Sequence, residues 1–291
     1  MYGIDLALAR MPDCRACAAR SFRSLAPLPL MALGLYIIGD EILSGKRQDK
    51  HFSRVQQLLA ARGMQLQWAQ YLGDDAQVLR ESLRASFERG DTVLSCGGIG
   101  ATPDDHTRAA AAAALGLPLE LHPEAVALIR QRILTASLGE PDSAANQQRL
   151  QMGNFPQGAQ IIPNPYNQIP GFFLREHYFV PGFPVMAWPM IEWVLDTRLQ
   201  HLHRPAGYLE RGLIVQGAME SELTPLMLRI ELEHAQVKVY SLPSVDDPQW
   251  GRHIEIGVKG EPLRVQAAFD ALRQGLVALG ANLRTETVRS I

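Results

Sequence analysis

The chain has 291 residues, of which 47% are hydrophobic and 20% charged, a composition typical of a folded protein of about two domains and not of a disordered one. Its 28 Lys and Arg residues against 30 Asp and Glu residues give a net charge of −2, which excludes electrostatic attraction to nucleic acid or to an anionic membrane as its main activity. The three cysteines are too few for a disulfide framework, which favours the reducing cytoplasm as the location.

The first 30 residues do not resemble a folded domain. We predict a disordered extension at residues 1–30 and a first domain that begins at Met31. The apolar stretch Leu25–Gly39 is 15 residues long and contains two prolines, whereas a membrane-spanning helix needs about 20 apolar residues. The arginines before this stretch imitate a signal peptide, but no Ala-x-Ala-like cleavage site follows. We therefore expect no membrane anchor.

From Leu33 onward, short apolar strands alternate with amphipathic helices that end near glycines. This alternation predicts an α/β domain with a mostly parallel sheet and helices on both faces. In such sheets, ligands bind beyond the carboxyl ends of the strands. The predicted strands are Leu35–Ile38, Leu66–Leu72 and Thr92–Cys96, and the predicted helices are Phe52–Arg62, Ala76–Arg89, Asp104–Leu115 and Pro123–Ser137.

The second half of the chain shows a different pattern. Residues 139–183 are rich in Pro, Gly, Asn and Gln, which predicts a long polar loop region with three short strands, and a helix from Pro184 to about His201 closes the first domain. The remainder follows a βαββαβ order, which predicts a small α+β, ferredoxin-like domain. The predicted domains are therefore 31–203 and 208–291, joined by a linker at 203–207.

A glycine-rich loop follows the third predicted strand and reads Gly97-Gly98-Ile99-Gly100-Ala101-Thr102. Glycines directly after a buried strand let the backbone approach a ligand closely, and a helix that opens near Asp104 would present free N–H groups. Such a loop also serves as a plain strand-to-helix connection. We predict that it binds phosphate through the N–H groups of Gly98, Gly100 and Ala101 and through the hydroxyl of Thr102.

Acidic pairs follow each of the three predicted strands. They are Asp40-Glu41, Asp74-Asp75 and, after the glycine-rich loop, Asp104-Asp105. Such residues are also common in turns and helix caps. Carboxylates beside a phosphate would repel it unless a divalent cation bridges them, and oxygen ligands suit Mg²⁺ or Mn²⁺. We therefore predict a site for Mg²⁺ or another divalent cation made by Asp40, Glu41 and Asp105, with Asp74 contributing to the ligand site.

The order of these motifs resembles a known family. Gly39-Asp40-Glu41-Ile42-Leu43-Ser44-Gly45, Asp49 and the string Gly97–Thr107 resemble the molybdopterin-binding domain shared by the MoaB/Mog proteins, MoeA and the amino-terminal half of the competence/damage-inducible CinA proteins. A later series, Asn164, Pro170-Gly171-Phe172 and Pro181-Gly182-Phe183-Pro184, is similar to CinA-type chains in particular. The resemblance covers about Leu33 to His201, and the C-terminal segment resembles the module that follows in CinA-like chains.

The resemblance implies a MoaB/Mog-like fold that binds molybdopterin, another phosphorylated pterin or a nucleotide. It places Asp49, Pro181 and Gly182 with Gly97 in the ligand site, and it matches Asp105 to the family's functional aspartate. For CinA-type members it also implies a metal-dependent hydrolysis of ADP-ribose, FAD or a similar dinucleotide pyrophosphate, in which Asp105 or Asp104 would orient the attacking water. Binding of a small phosphorylated ligand is our first interpretation, and the hydrolase is the second.

The chain departs from the family pattern at several polar positions. The family's Asp-x-Asn appears as Asp49-Lys50-His51, and Ala101, Ala109 and Met186 replace a proline and two glutamates. These losses favour binding over turnover, and a third interpretation is a scaffold whose site has decayed. We expect the nicotinamide-mononucleotide deamidase domain that ends many CinA proteins to be absent. A homo-oligomer is compatible with the sequence, and neither nucleic acid nor a membrane is an expected partner.

Overall fold

The computed structural model describes residues 32–140, 142–204 and 209–290. The extension predicted at 1–30 and most of the linker predicted at 203–207 lie outside these ranges. Within them, no helix combines the length and the hydrophobicity that a bilayer crossing requires.

Strands and helices alternate through the described residues. The strands are β1 (Leu33–Ile38), β2 (Trp68–Leu72), β3 (Thr92–Cys96), β4 (Leu119–Leu121), β5 (Asn154–Pro156), β6 (Gln160–Ile162), β7 (Gly171–Leu174), β8 (His177–Val180), β9 (Leu209–Gln216), β10 (Lys238–Asp247), β11 (Gly251–Gly260) and β12 (Asn282–Ser290). The helices are α1 (Asp40–Leu43), α2 (His51–Ala60), α3 (Ala76–Arg89), α4 (Thr107–Leu115), α5 (Pro123–Thr135), α6 (Ala144–Leu150), α7 (Pro184–Thr197), α8 (Glu220–Glu233) and α9 (Pro262–Ala278), with short 3-10 turns at Gln151–Gly153 and Gln200–Leu202.

Six strands form the central sheet in the order β2-β1-β3-β8-β7-β6. β1 pairs in parallel with β2 and β3, and β3 pairs in parallel with β8, whereas β7 and β6 add antiparallel strands. Side chains of β1 alternate between two cores: Leu35 and Ile37 pack with α2 and α7, whereas Tyr36 and Ile38 pack with α3 and α4. The predicted mostly parallel sheet with helices on both faces is confirmed, and the carboxyl ends of four strands meet at one edge.

Helix boundaries follow from local capping, with one informative exception. α3 spans the predicted residues because the Asp75 carboxylate accepts hydrogen bonds from two N–H groups of the first turn, and Gly90 ends the helix with a left-handed φ of 72°. α4 was predicted from Asp104 but begins at Thr107. Asp104 and Asp105 remain in the preceding turn, because the Asp105 carboxylate binds the glycine-rich loop instead of continuing the helix.

The region 139–183 contains more regular structure than the sequence predicts. The three short strands are confirmed as β6, β7 and β8. Two elements were not predicted from the sequence: α6, which the Ser143 hydroxyl caps, and β5, which pairs with β4 in a separate two-stranded ribbon.

The C-terminal segment forms a separate antiparallel sheet in the order β10-β11-β9-β12. α8 and α9 cover one of its faces, where Leu226 and Phe269 pack with Val215 and Ile256 of the two central strands. The chain order β9-α8-β10-β11-α9-β12 confirms the predicted ferredoxin-like arrangement.

Candidate functional site

A cavity of about 450 Å³ lies at the carboxyl edge of the central sheet. It is formed where the loops that follow β1, β2, β3 and β8 meet the segment between β6 and β7, as expected for a ligand site in a parallel sheet. The polar lining residues are Glu41, Arg47, Asp74, Thr102, Asp104, Asp105, Asn164 and Asn167. The glycine-rich loop, Ile38, Gly39, Met152, Ile169, Pro170, Pro181, Gly182, Phe183 and Met186 complete the wall.

The glycine-rich loop is held on the first turn of α4. Gly98 has a left-handed φ of 68°, and a Cβ at this position would overlap the Thr107 hydroxyl. The N–H of Thr107 donates to the Gly98 carbonyl at 3.0 Å, and its hydroxyl donates to the Gly97 carbonyl at 3.1 Å. Thr107 is fully buried. The loop therefore requires glycine at position 98 and is anchored by one side chain of the following helix.

A buried cation supports the loop from behind. Arg108 is 9% exposed, and its guanidinium donates a hydrogen bond to the carbonyl of Ile99. Burial lowers the pKa of Arg108, and the nearby negative charge of Asp105 opposes that shift. Arg108 therefore places positive charge next to the loop without entering the cavity lining.

The Asp105 carboxylate binds the loop itself. Its Oδ1 accepts the N–H of Gly100 at 2.7 Å, and its Oδ2 accepts the N–H of Thr102 at 2.8 Å and the Thr102 hydroxyl at 2.5 Å. Gly100 and Thr102, which the sequence analysis assigns to phosphate, are thus engaged with the protein's own carboxylate. Among the residues that the structure describes, the N–H groups of Gly98, Ile99 and Ala101 have no acceptor.

The other acidic residues form a cluster at the same edge. The N–H of Asp40 donates to an Asp74 carboxylate oxygen at 2.9 Å, and the N–H of Asp74 donates to an Asp40 oxygen at 3.2 Å, which ties together the loops after β1 and β2. Burial raises the pKa of Asp74, the hydrogen bond from the Asp40 N–H opposes that shift, and the negative charges of Asp40, Glu41 and Asp104 add to it. Glu41, Asp74 and Asp104 line the cavity, whereas Asp40 does not.

The predicted cation site made by Asp40, Glu41 and Asp105 does not fit this geometry. Within the described ranges, no three His, Cys, Asp or Glu side chains are grouped so as to hold a metal ion. Both oxygens of Asp105 already accept hydrogen bonds from the loop, and Asp40 is bound to the loop after β2. The carboxylates were expected to converge because they follow neighbouring strands, but the side chains of Asp40, Asp74 and Asp105 hydrogen-bond to the loops instead.

Asp49, predicted to bind ligand, lies outside the lining of this cavity. Its carboxylate accepts the N–H groups of His51 and Phe52 at 2.7 and 3.1 Å, which caps the start of α2, and it accepts the Tyr71 hydroxyl at 2.9 Å. Partial burial, followed by the hydrogen bond and charge of Asp49, raises the pKa of Tyr71 to about 12. In this structure Asp49 therefore joins α2 to β2.

The loop after β8 forms the opposite wall. Pro181 and Gly182 line the cavity, as placed by the sequence analysis, and a Cβ on Gly182 would lie 3.4 Å from the Cα of Gly97. The two loops therefore pack closely. His51 is 5% exposed, and its Nε2 lies 2.9 Å from the Gly182 carbonyl. His51 also lines an adjoining cavity of about 310 Å³ that shares Arg47 and Phe183 with the first.

Several lining residues were not predicted from the sequence as site residues. Arg47 is exposed, and its guanidinium has no acceptor among the described residues. Asn164 and Asn167 shape the segment between β6 and β7 through hydrogen bonds to each other and to Ile169, and Asn167 also donates to the sulfur of Met186. The one sequence feature that could have suggested a role for Arg47 is its position shortly after the motif residues Ser44-Gly45. Nothing in its spacing relates it to the glycine-rich loop.

Comparison with known proteins covers the part of the chain that holds this cavity. Residues 34–201 match the family model described as "Probable molybdopterin binding domain". This range is more than half of the chain and includes every residue of the cavity lining. The chain belongs to the molybdopterin-binding-domain family. The C-terminal sheet lies outside the matched range.

The relatives of this molybdopterin-binding domain include CinA-type proteins. A CinA-like protein of Citrifermentans bemidjiense is 35% identical over 203 residues, which make up 68% of this chain and 47% of that protein. A protein of Pyrobaculum calidifontis is 28% identical over 249 residues, 83% of this chain and 93% of that protein. The crystal structure of CinA from Thermoplasma acidophilum, a protein of unknown function, matches with a TM-score of 0.51 and 25% identity, covering 58% of this chain and 98% of that one.

These matches confirm the resemblance to CinA-type chains. The chain spans about half the length of the CinA-like protein that it matches, and nearly all of the Pyrobaculum protein. The activities of whole CinA-like proteins therefore do not transfer to this chain by similarity alone.

Proposed function

We propose that the molybdopterin-binding domain binds a phosphorylated pterin or a nucleotide in the 450 Å³ cavity. The observation that supports this best is that one lining combines free backbone donors at Gly98, Ile99 and Ala101 with the exposed guanidinium of Arg47. Backbone N–H groups in a glycine-rich loop and a guanidinium are donors that suit phosphate oxygens. The buried Arg108 adds positive charge behind the same loop.

The remaining lining suits a flat heterocycle. Ile99, Met152, Ile169 and Met186 provide an apolar surface, and Phe183 lines the cavity while remaining 55% exposed. Aromatic rings and thioether sulfurs pack favourably against ring systems such as a pterin or a purine. The volume also falls in the range of about 300–1,000 Å³ that is usual for small-molecule sites.

The carboxylates in the lining do not fit a resident divalent cation. Glu41, Asp74, Asp104 and Asp105 line the cavity, but they are not grouped as a ligand set. The phosphorylated ligand would therefore be bound by the protein's own hydrogen-bond donors, without a metal ion. Metal-dependent hydrolysis of ADP-ribose or FAD is the alternative, and the experiment below distinguishes it from binding.

The ligand is best identified without assuming its structure. The protein would be purified and denatured, and any released pterin or nucleotide identified by mass spectrometry. AMP, ADP-ribose and FAD would then be titrated into the protein calorimetrically, with and without Mg²⁺ or Co²⁺. We expect binding without product. Product formation would favour the hydrolase, whereas no released ligand and no binding of any phosphorylated compound would contradict the proposal and favour a scaffold.

The variant Arg47→Ala tests the role of the cavity's exposed cation. We expect the Kd for ADP-ribose to rise about tenfold, which corresponds to about 1.4 kcal/mol, because a charge-assisted hydrogen bond to phosphate is lost. Lys46→Ala is the matched control, since Lys46 is exposed, carries the same charge and does not line the cavity. Equal losses in the two variants would show that only the overall charge matters.

A further inference from the structure

The Asp105 carboxylate occupies the hydrogen-bond donors of Gly100 and Thr102, which alternate along the glycine-rich loop with the free N–H groups of Ile99 and Ala101. Its two oxygens accept three hydrogen bonds, from the N–H of Gly100 and from the N–H and the hydroxyl of Thr102, at 2.5–2.8 Å. Backbone N–H groups of a turn together with a hydroxyl form the kind of concave donor set that binds anions. The loop therefore already holds an anion, and that anion belongs to the chain itself.

The loop is built closely around this carboxylate. A Cβ on Gly100 would lie 2.6 Å from the Asp105 Oδ2, so a side chain at position 100 would push the carboxylate from its present position. The buried guanidinium of Arg108 lies behind the loop, and Asp105 is the negative group whose charge acts on it. Since a buried cation needs a counter-charge, the loop favours an anion at this position whether or not ligand is present.

We propose that Asp105 is a built-in competitor of phosphate: its carboxylate closes the glycine-rich loop in the free protein, and the phosphate group of the ligand displaces it. The phosphate oxygens then accept the hydrogen bonds of Gly100 and Thr102 and take over as counter-charge to Arg108. This inference rests on the proposed function. It assigns Asp105 to control of access, which differs from the metal-ligand and catalytic roles that the resemblance implies.

Competition makes a quantitative prediction. A ligand that must displace an internal group binds only the molecules in which that group has left. Its apparent Kd is the intrinsic Kd divided by the fraction of such molecules. Asp105→Asn keeps the shape of the side chain but removes its charge, and because an amide nitrogen replaces one carboxylate oxygen, the side chain cannot accept the bonds of both Gly100 and Thr102. We therefore expect inorganic pyrophosphate, titrated calorimetrically without divalent metal, to bind Asp105→Asn about tenfold more tightly than the unmodified protein.

Asp104→Asn is the matched control. Asp104 lines the same cavity and carries the same charge, but it is exposed, and its contact with the loop is limited to Thr102, without the Gly100 hydrogen bond that Asp105 accepts. We expect its Kd for pyrophosphate to fall by no more than about threefold, the effect of removing one exposed charge. Circular dichroism at 25 °C would establish that both variants are folded.

Amide hydrogen exchange provides a second measurement. The amides of Gly100 and Thr102 should exchange about tenfold faster in Asp105→Asn than in the unmodified protein, and pyrophosphate should slow them again. Weaker pyrophosphate binding by Asp105→Asn, or equal gains in the two variants, would overturn the inference but leave the proposed function intact. Failure of the unmodified protein and both variants to bind any phosphorylated compound would instead contradict the proposed function.

Discussion

Replacing Gly98 by alanine is expected to destabilise the protein by about 3 kcal/mol and to abolish binding of phosphorylated ligands. About 1–2 kcal/mol arises because Gly98 has a φ of 68°, where an L side chain is strained. The remainder arises because the added Cβ would overlap the hydroxyl of Thr107, which is fully buried and cannot move without breaking its hydrogen bond to Gly97. Urea unfolding and calorimetric titration with ADP-ribose measure the two effects.

Gly116→Ala is the control that separates the cost of backbone strain from the cost of the overlap with Thr107. Gly116 ends α4 with a φ of 66°, almost the same as that of Gly98, but no atom lies within 4 Å of the position its Cβ would take. We expect a loss of about 1 kcal/mol from strain and no change in ligand affinity. If Gly98→Ala and Gly116→Ala cost the same stability and both retain binding, the glycine-rich loop is not held as described.

His177 is expected to make the first domain sensitive to acid. Its side chain is 1% exposed, stacks on Phe87 at 3.7 Å between ring centroids, and its Nε2 lies 2.8 Å from the Ser86 hydroxyl. Burial, with smaller contributions from the positive charges of Arg175 and Arg89, lowers the pKa of His177 from 6.5 to about 3. The folded state therefore favours the neutral imidazole.

The sign of the pH dependence follows from this shift. Between pH 6.5 and pH 3 the unfolded chain binds a proton that the folded chain does not, so the free energy of unfolding falls as the pH is lowered through this window. At pH 5 the loss attributable to His177 is about 2 kcal/mol relative to neutral pH. Above pH 6.5 the contribution is constant.

His177→Phe should remove this loss. Phenylalanine preserves the stacking on Phe87, so we expect the difference in unfolding free energy between pH 7 and pH 5 to be smaller by about 2 kcal/mol than in the unmodified protein. Unfolding would be followed by tryptophan fluorescence. A Trp250→Phe background would restrict the signal to the tryptophans of the first domain. His201→Gln, at an exposed position, should retain the full acid loss. An unchanged pH dependence in His177→Phe would contradict the assignment.

The local sequence determined much of the fold. The apolar runs of β1 and β3 and the helical spacing of α3 predicted a parallel sheet with helices on both faces, because a strand buried on both faces is apolar throughout and a helix buried on one face has a period of 3.6 residues. Caps such as Asp75 and Gly90 lie within a few residues of the backbone groups they satisfy, so helix ends were predicted well where such caps exist. The βαββαβ order of the C-terminal domain followed in the same way.

The sequence predicted where the site lies, but not which groups its side chains contact. The glycine-rich loop, Asp74, Pro181 and Gly182 do line one cavity, because the loops after parallel strands meet at one edge. The partners of each side chain were not predictable. Asp105 could have faced the cavity or the loop, and Asp49 could have bound ligand or capped α2. Each choice is a competition between acceptors and donors that only the folded loops bring within reach.

The sequence alone therefore determined the layers of the first domain, the position of its glycine-rich loop and the topology of the second domain, since these depend on periodicity and on contacts between near neighbours. Tertiary structure alone decided that Asp40 and Asp74 hold each other's loops, that Arg47 enters the cavity lining and that His177 is buried without charge. Those features join residues far apart in the chain, and their energies come from desolvation and charge in a shared space that no local pattern encodes.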